Sequence, residues 1–195
     1  MNTTPESAVA NSVRRWVQEV VVGLELCPFA GREVKADTIR YAVCTASTEE
    51  ALLEQLAEEL LRLRESSAVE TTLLIHPGVL GDFADYNDFL WLCDQLIESL
   101  DMRGEFQIAS FHPDYRFDGA EAHAPENFSN RSPYPMLHIL REESVENAVA
   151  NYPNIESIPE RNTKRLRAMG LKALEGLTRS HLSELSSASP APDPD

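Results

Sequence analysis

A chain of 195 residues with 43% apolar content suits one soluble globular domain with a substantial core. Its formal net charge of −15 argues against wholesale nucleic-acid binding, and no apolar run approaches the roughly 20 residues of a membrane span. The N-terminus has neither a basic n-region nor an apolar h-region, so a cytoplasmic location is expected, and Cys27, Cys44 and Cys93 contain no C-x-x-C pair that would suggest a disulfide framework or zinc ribbon.

Thr4-Pro5 reads as a helix cap and first helical residue. Val9, Val13, Trp16, Val17, Val20 and Leu24 then recur at helical spacing, to an end near residues 23–26. Cys27-Pro28-Phe29 follows as a loop, because proline biases its predecessor away from helix. Residues 38–45 read as a strand from their β-branched and aromatic content. Ser47-Thr-Glu-Glu50 has the pattern of a capping box and opens a helix with Leu52, Leu56, Leu60 and Leu63 on one face. Residues 70–76 form a second strand, stopped by His76-Pro77-Gly78; Asp82 caps a third helix; residues 105–111 form a third strand, stopped by His112-Pro113. A long irregular stretch follows, whose aromatics Tyr115, Phe117, Phe128 and Tyr134 predict an ordered loop. Helices are predicted near 134–141, at 144–151 and from about 158 to 177, and the tail 186–195, rich in Ser, Ala and Pro, reads as disordered.

Strand, helix, strand, helix, strand makes two βαβ crossovers. The predicted fold is therefore one α/β domain over residues 5–182, with a small, mainly parallel three-stranded sheet covered by helices and a helical C-terminal third. Ligands of open parallel sheets bind beyond the carboxyl ends of the strands, and His76 and His112 both end strands there. They are the candidate acid/base groups, with His138 close behind, though a histidine ending a strand equally suits a structural hydrogen bond to a carbonyl. Cys27 is a candidate nucleophile if a histidine reaches it, and otherwise a small buried hydrophobe. On a helix His138 and Arg141 share a face and could offer an imidazole and a guanidinium to one anion, with Arg131 as a second guanidinium; Asp114 and Tyr115 complete the candidate substrate contacts. Arg161 and Arg165 form an i, i+4 like-charge pair, unfavourable unless an anion or acid lies nearby, within what reads first as a solvated helix face. No Walker loop, G-x-G-x-x-G or G-x-S-x-G is present.

Three strings, Leu26-Cys-Pro-Phe-Ala30, Phe111-His-Pro-Asp-Tyr115 and Asn130-Arg-Ser-Pro-Tyr-Pro-Met-Leu-His138, together resemble the bacterial family known as domain of unknown function 1415, over roughly residues 12 to 180. That resemblance implies a small soluble bacterial protein; it implies no activity and no catalytic residue. The residues themselves point to an enzyme acting on a small anionic substrate, with no nucleic-acid or membrane partner. Two alternatives stand beside it: a metal held by His76, His112 and His138 with a carboxylate or Cys27, and a non-catalytic interaction module docking through the long loop.

Overall fold

The computed structural model describes residues 5–182; the tail predicted as disordered lies outside them. Among the described residues the order of regular elements is α1 (Pro5–Trp16), α2 (Ala30–Ala36), β1 (Ile39–Val43), α3 (Glu49–Glu65), β2 (Thr71–Ile75), α4 (Phe83–Ser99), β3 (Phe106–Phe111), β4 (Met136–Arg141), α5 (Glu142–Asn151), α6 (Ile158–Met169) and α7 (Leu171–Leu182).

The sheet has four strands in the order β1-β2-β4-β3, and it is mixed rather than parallel and three-stranded. β1 and β2 pair in parallel, while β4 runs antiparallel to both β2 and β3. The three predicted strands therefore all point one way, with β4 inserted between the second and third. β4 stands where a helix was expected. Pro133 and Pro135, residues that often open a helix, here precede a strand, a position that proline tolerates. Met136, Leu137 and Ile139 have no exposed surface, so β4 is apolar on both faces, as a central strand must be.

Alternation along the strands splits the core in two. On one face Leu74, Leu137 and Ile139 pack with the leucines of α3 and with Phe89 and Cys93 of α4. On the other, Leu73, Ile75 and Met136 pack with Val13 and Trp16 of α1, Leu166 of α6 and Leu174 of α7. Local chemistry sets the element ends. Asp82 caps α4 through Ala84 N–H at 2.8 Å, as the sequence predicts, whereas α3 is capped by Thr48, not Ser47. The single long helix expected over 158–177 is broken by Gly170 at φ 77°, a conformation that glycine adopts without cost. The first helix does not run straight to its end. Val17–Val22 form a π-helical turn, and Gly23 is required there, because a Cβ would lie 2.2 Å from the Glu19 carbonyl oxygen. Glu25, at φ 50°, then turns the chain sharply into the Cys27 loop.

Candidate functional site

The sheet topology brings His76 and His112 to one edge, on one face, with Tyr86 of α4 between them. The Tyr86 ring lies 5.9 Å from His76 and 5.1 Å from His112, centroid to centroid. Its hydroxyl donates to the Met136 carbonyl at 2.8 Å and accepts from Phe111 N–H at 3.0 Å, so it is fully used. Phe83 and Tyr115 close the outer side, 5.2 Å apart.

Hydrogen bonds fix the state of both rings. Asp114 donates its backbone N–H to His112 Nδ1 at 3.0 Å, so His112 carries its proton on Nε2 and donates it to the Leu80 carbonyl at 3.2 Å. His76 donates from Nδ1 to the Val79 carbonyl at 3.0 Å; its Nε2 is buried without a partner. Burial lowers the pKa of His112, and pushes that of His76 down to about 4 against the opposing Val79 hydrogen bond. Both rings are neutral at pH 7, and both tie down the 76–82 loop, in which Leu80 holds a left-handed φ of 57°. His112 has no nitrogen left for a substrate. The Asp114 contribution is its backbone N–H, while its side chain is exposed.

His138 lies elsewhere. As part of a strand it faces the opposite side of the sheet from His76, beside Phe111 at 5.9 Å. Thr71 donates its hydroxyl to the Ile139 carbonyl at 2.6 Å and so accepts from His138 Nε2 at 2.8 Å. Burial pushes the His138 pKa down to about 4. The three histidines therefore do not converge, and among the described residues no three His, Cys, Asp or Glu side chains gather as metal ligands do.

The two arginines do not form a clamp, because they sit at opposite ends of the β4 segment and are spent on carbonyls. Arg131 donates to Tyr115 O at 3.2 Å and Ala122 O at 2.7 Å, with its guanidinium 4.4 Å over Phe128. Arg141 Nη2 reaches Leu63 O at 2.6 Å, Ser66 O at 2.8 Å and Val69 O at 3.1 Å, and thereby closes the C-terminal end of α3. Asn127, fully buried, staples the long loop through Phe117 N–H at 3.1 Å and Glu121 O at 2.9 Å. That loop is ordered by these bonds.

Cys27 belongs to the face that also carries His138, half-buried against the α1 side of the core. The loop around it is held by α6. Arg165 donates to Leu24 O, Arg161 Nη2 to Glu25 O at 3.2 Å, and Asn162 Nδ2 to Leu26 O at 2.8 Å. On the other side of Cys27, Phe29 packs edge-on to Tyr152 at 5.7 Å, and the Tyr152 hydroxyl accepts from Arg161 Nη1 at 3.0 Å. Cys27 is thus bracketed by two anchors of one guanidinium. Arg165 also pairs with Glu25 at 2.7 Å and holds that carboxyl below its usual range, so the acid that the i, i+4 arginine pair demanded is present. Arg161 Nε and Asn162 Oδ1 remain buried without partners, Asn162 itself being 8% exposed. This helix face is not the solvated one its charge pattern first implies; the like-charge spacing of Arg161 and Arg165 is the signal in the sequence for that.

Two concavities lie elsewhere on the described residues. A cleft of about 210 Å³ beside β1 is lined by Arg14, Glu33, Asp37 and Tyr41, and Arg14 lies 4.3 Å over the Tyr41 ring. A cavity lined by Trp16, Phe128, Arg131 and Leu174 measures about 10 Å³, too small for a substrate.

The class defined here is a mixed-sheet α/β protein with helices on both faces and a partly exposed cysteine in a pinned loop. Within it, the chain belongs to the DUF1415 family, described as a protein of unknown function, whose model matches residues 8–176. No curated protein and no solved structure matches the chain. No helix among the described residues is long and apolar enough to cross a membrane.

Proposed function

We propose that this protein is an enzyme for a small anionic substrate, with its site at the Cys27 loop rather than at the histidine edge. The observation that carries the reading is the orphaned pair Arg161 Nε and Asn162 Oδ1, buried beside the backbone that leads into Cys27. A buried polar atom without a partner costs about 1–3 kcal/mol, which a ligand that reached it would recover. Arg161 Nε–H is a charged donor suited to a carboxylate or phosphate oxygen; Asn162 Oδ1 accepts from a hydroxyl or amide of the same molecule. Cys27, half-buried in the loop whose preceding carbonyls, Leu24 O and Glu25 O, are held by Arg165 and Arg161, is the nucleophile of the site.

Cys44 and Cys93 have almost no exposed surface, so mild alkylation of the native protein reports on Cys27 alone. Saturating phosphate or citrate is expected to slow iodoacetamide labelling of Cys27 at least about fivefold in wild type, and not in Arg161→Met. Unchanged labelling of wild type in both anions, or equal protection in the variant, refutes the reading.

A second reading rests on His76 Nε2, a buried lone pair at the sheet edge. There the neutral ring is a base awaiting a donor. Its 15N resonance is expected to shift when a substrate binds at that edge; an unmoved resonance during turnover of any substrate found for this protein removes His76 from the chemistry.

A further inference from the structure

Trp91 is the largest anomaly on the surface. It is 64% exposed, whereas the other exposed large apolar residues, Leu61, Phe117, Val149 and Leu171, are at most 43% exposed. It lies midway along the outward face of α4. Helical spacing places Asp88 one turn before it, Asp94 one turn after and Glu98 two turns after, and all three are exposed. Glu98 is paired with Arg103 at 2.9 Å, while Asp88 and Asp94 have no basic partner among the described residues.

We infer that this face of α4 is a docking surface for a basic, arginine-bearing segment of another protein. Charge selects the occupant. A second copy of the chain brings another −15 and the same acidic face, and anionic lipid or nucleic acid is repelled in the same way. A guanidinium satisfies both features at once: its plane stacks on the indole, and its edge donates in a fork to the carboxylate of Asp88 or Asp94. An ammonium pairs with the acids but stacks less well, so arginine is preferred to lysine. Tryptophan is also the residue most often found as an energetic anchor of protein interfaces.

The chain has two tryptophans, and Trp16 is 3% exposed, so acrylamide quenching of the folded protein reports mainly on Trp91. The probe is a short arginine-rich peptide, titrated at low salt beside its lysine counterpart. The expected result is saturable shielding of Trp91, tighter for arginine. The Asp88→Asn/Asp94→Asn variant should weaken it about tenfold, while the control Glu143→Gln/Glu146→Gln on α5 should leave it within about twofold. Equal weakening in the two variants means diffuse attraction to an acidic chain and overturns the proposal. So does saturable binding without shielding of Trp91. Shielding of Trp91 by rising protein concentration alone, or by anionic vesicles, assigns the face to a second copy or to lipid and equally overturns it.

Discussion

Arg141 gives the sharpest test of whether the arginines of this chain hold ligand or hold the fold. Its Nη2 meets three carbonyls, Leu63 O, Ser66 O and Val69 O, at 2.6 to 3.1 Å. One nitrogen has two hydrogens, so the three contacts amount to two charge-assisted bonds, worth about 1.5–3 kcal/mol each. The guanidinium also lies 5.6 Å from the Phe106 ring centroid, which adds roughly 0.5–1 kcal/mol. Because the side chain is only partly buried, water recovers some of this in a truncated variant. Arg141→Ala should therefore cost about 3 kcal/mol and lower Tm by roughly 6–12 °C for a domain of this size. Arg141→Lys keeps the charge at the helix end but loses the fork, and should cost about 1 kcal/mol. Urea unfolding followed by circular dichroism gives both values, provided that m stays constant. Hydrogen exchange should also show the last turn of α3 opening more readily. A loss below about 0.5 kcal/mol for Arg141→Ala would mean that the carbonyls of 63–69 are satisfied without it, and would return Arg141 to the list of ligand contacts.

Acid should weaken the fold in a defined window. The folded pKa of His76 is about 4, below the unfolded value of 6.5, so the native state binds fewer protons between those values; stability is full above pH 6.5, falls toward pH 4 and is flat beyond, by roughly 3 kcal/mol from His76. His112 and His138 are shifted in the same direction and add to the same slope. His76→Gln, whose amide can still donate to Val79, should flatten it, and an unchanged slope in urea titrations from pH 7 to 4 refutes the assignment. At the end of α4, Asp101 holds φ 53° while its N–H and that of Met102 bond back to Glu98 O and Ile97 O. Asp101→Gly should raise stability by about 0.5–1 kcal/mol in thermal or urea unfolding, since glycine takes that conformation without strain; a decrease would show that the aspartate side chain has a role there.

The parts of the fold carried by local chemistry were legible in the chain. Asp82 as a cap, the leucine face of α3 and the apolar run of β2 each announce themselves within a few residues. β4 did not. Met-Leu-His-Ile-Leu-Arg has neither strand alternation nor a helix-length repeat, and only its central place in a sheet with helices on both sides explains why both of its faces are apolar. A helix over 134–141 would set His138 and Arg141 on one face, whereas the strand turns them to opposite faces. That His76 and His112 share an edge follows from strand direction, which crossovers impose. Which nitrogen each ring keeps free depends on loop carbonyls at 79 and 80, and no pattern in the sequence states it. The pinning of the Cys27 loop by α6 joins residues about 136 positions apart, beyond the reach of any local motif, although the Arg161/Arg165 pair hinted that an acceptor was near.

The position of β4 has a consequence for biosynthesis. Strands β2 and β3 do not bond to each other; β3 and the second side of β2 find their partner in a segment translated later than both. During synthesis the β1–β2 pair can form early, but its open side must wait for residues 136–141, and β3 waits unpaired until then. The nascent chain thus carries an apolar strand edge, Thr71–Ile75, through the synthesis of some sixty further residues. A stall or truncation before β4 should yield an aggregation-prone fragment rather than a smaller stable domain, and a chaperone that shields that edge on the ribosome would improve the yield of folded protein.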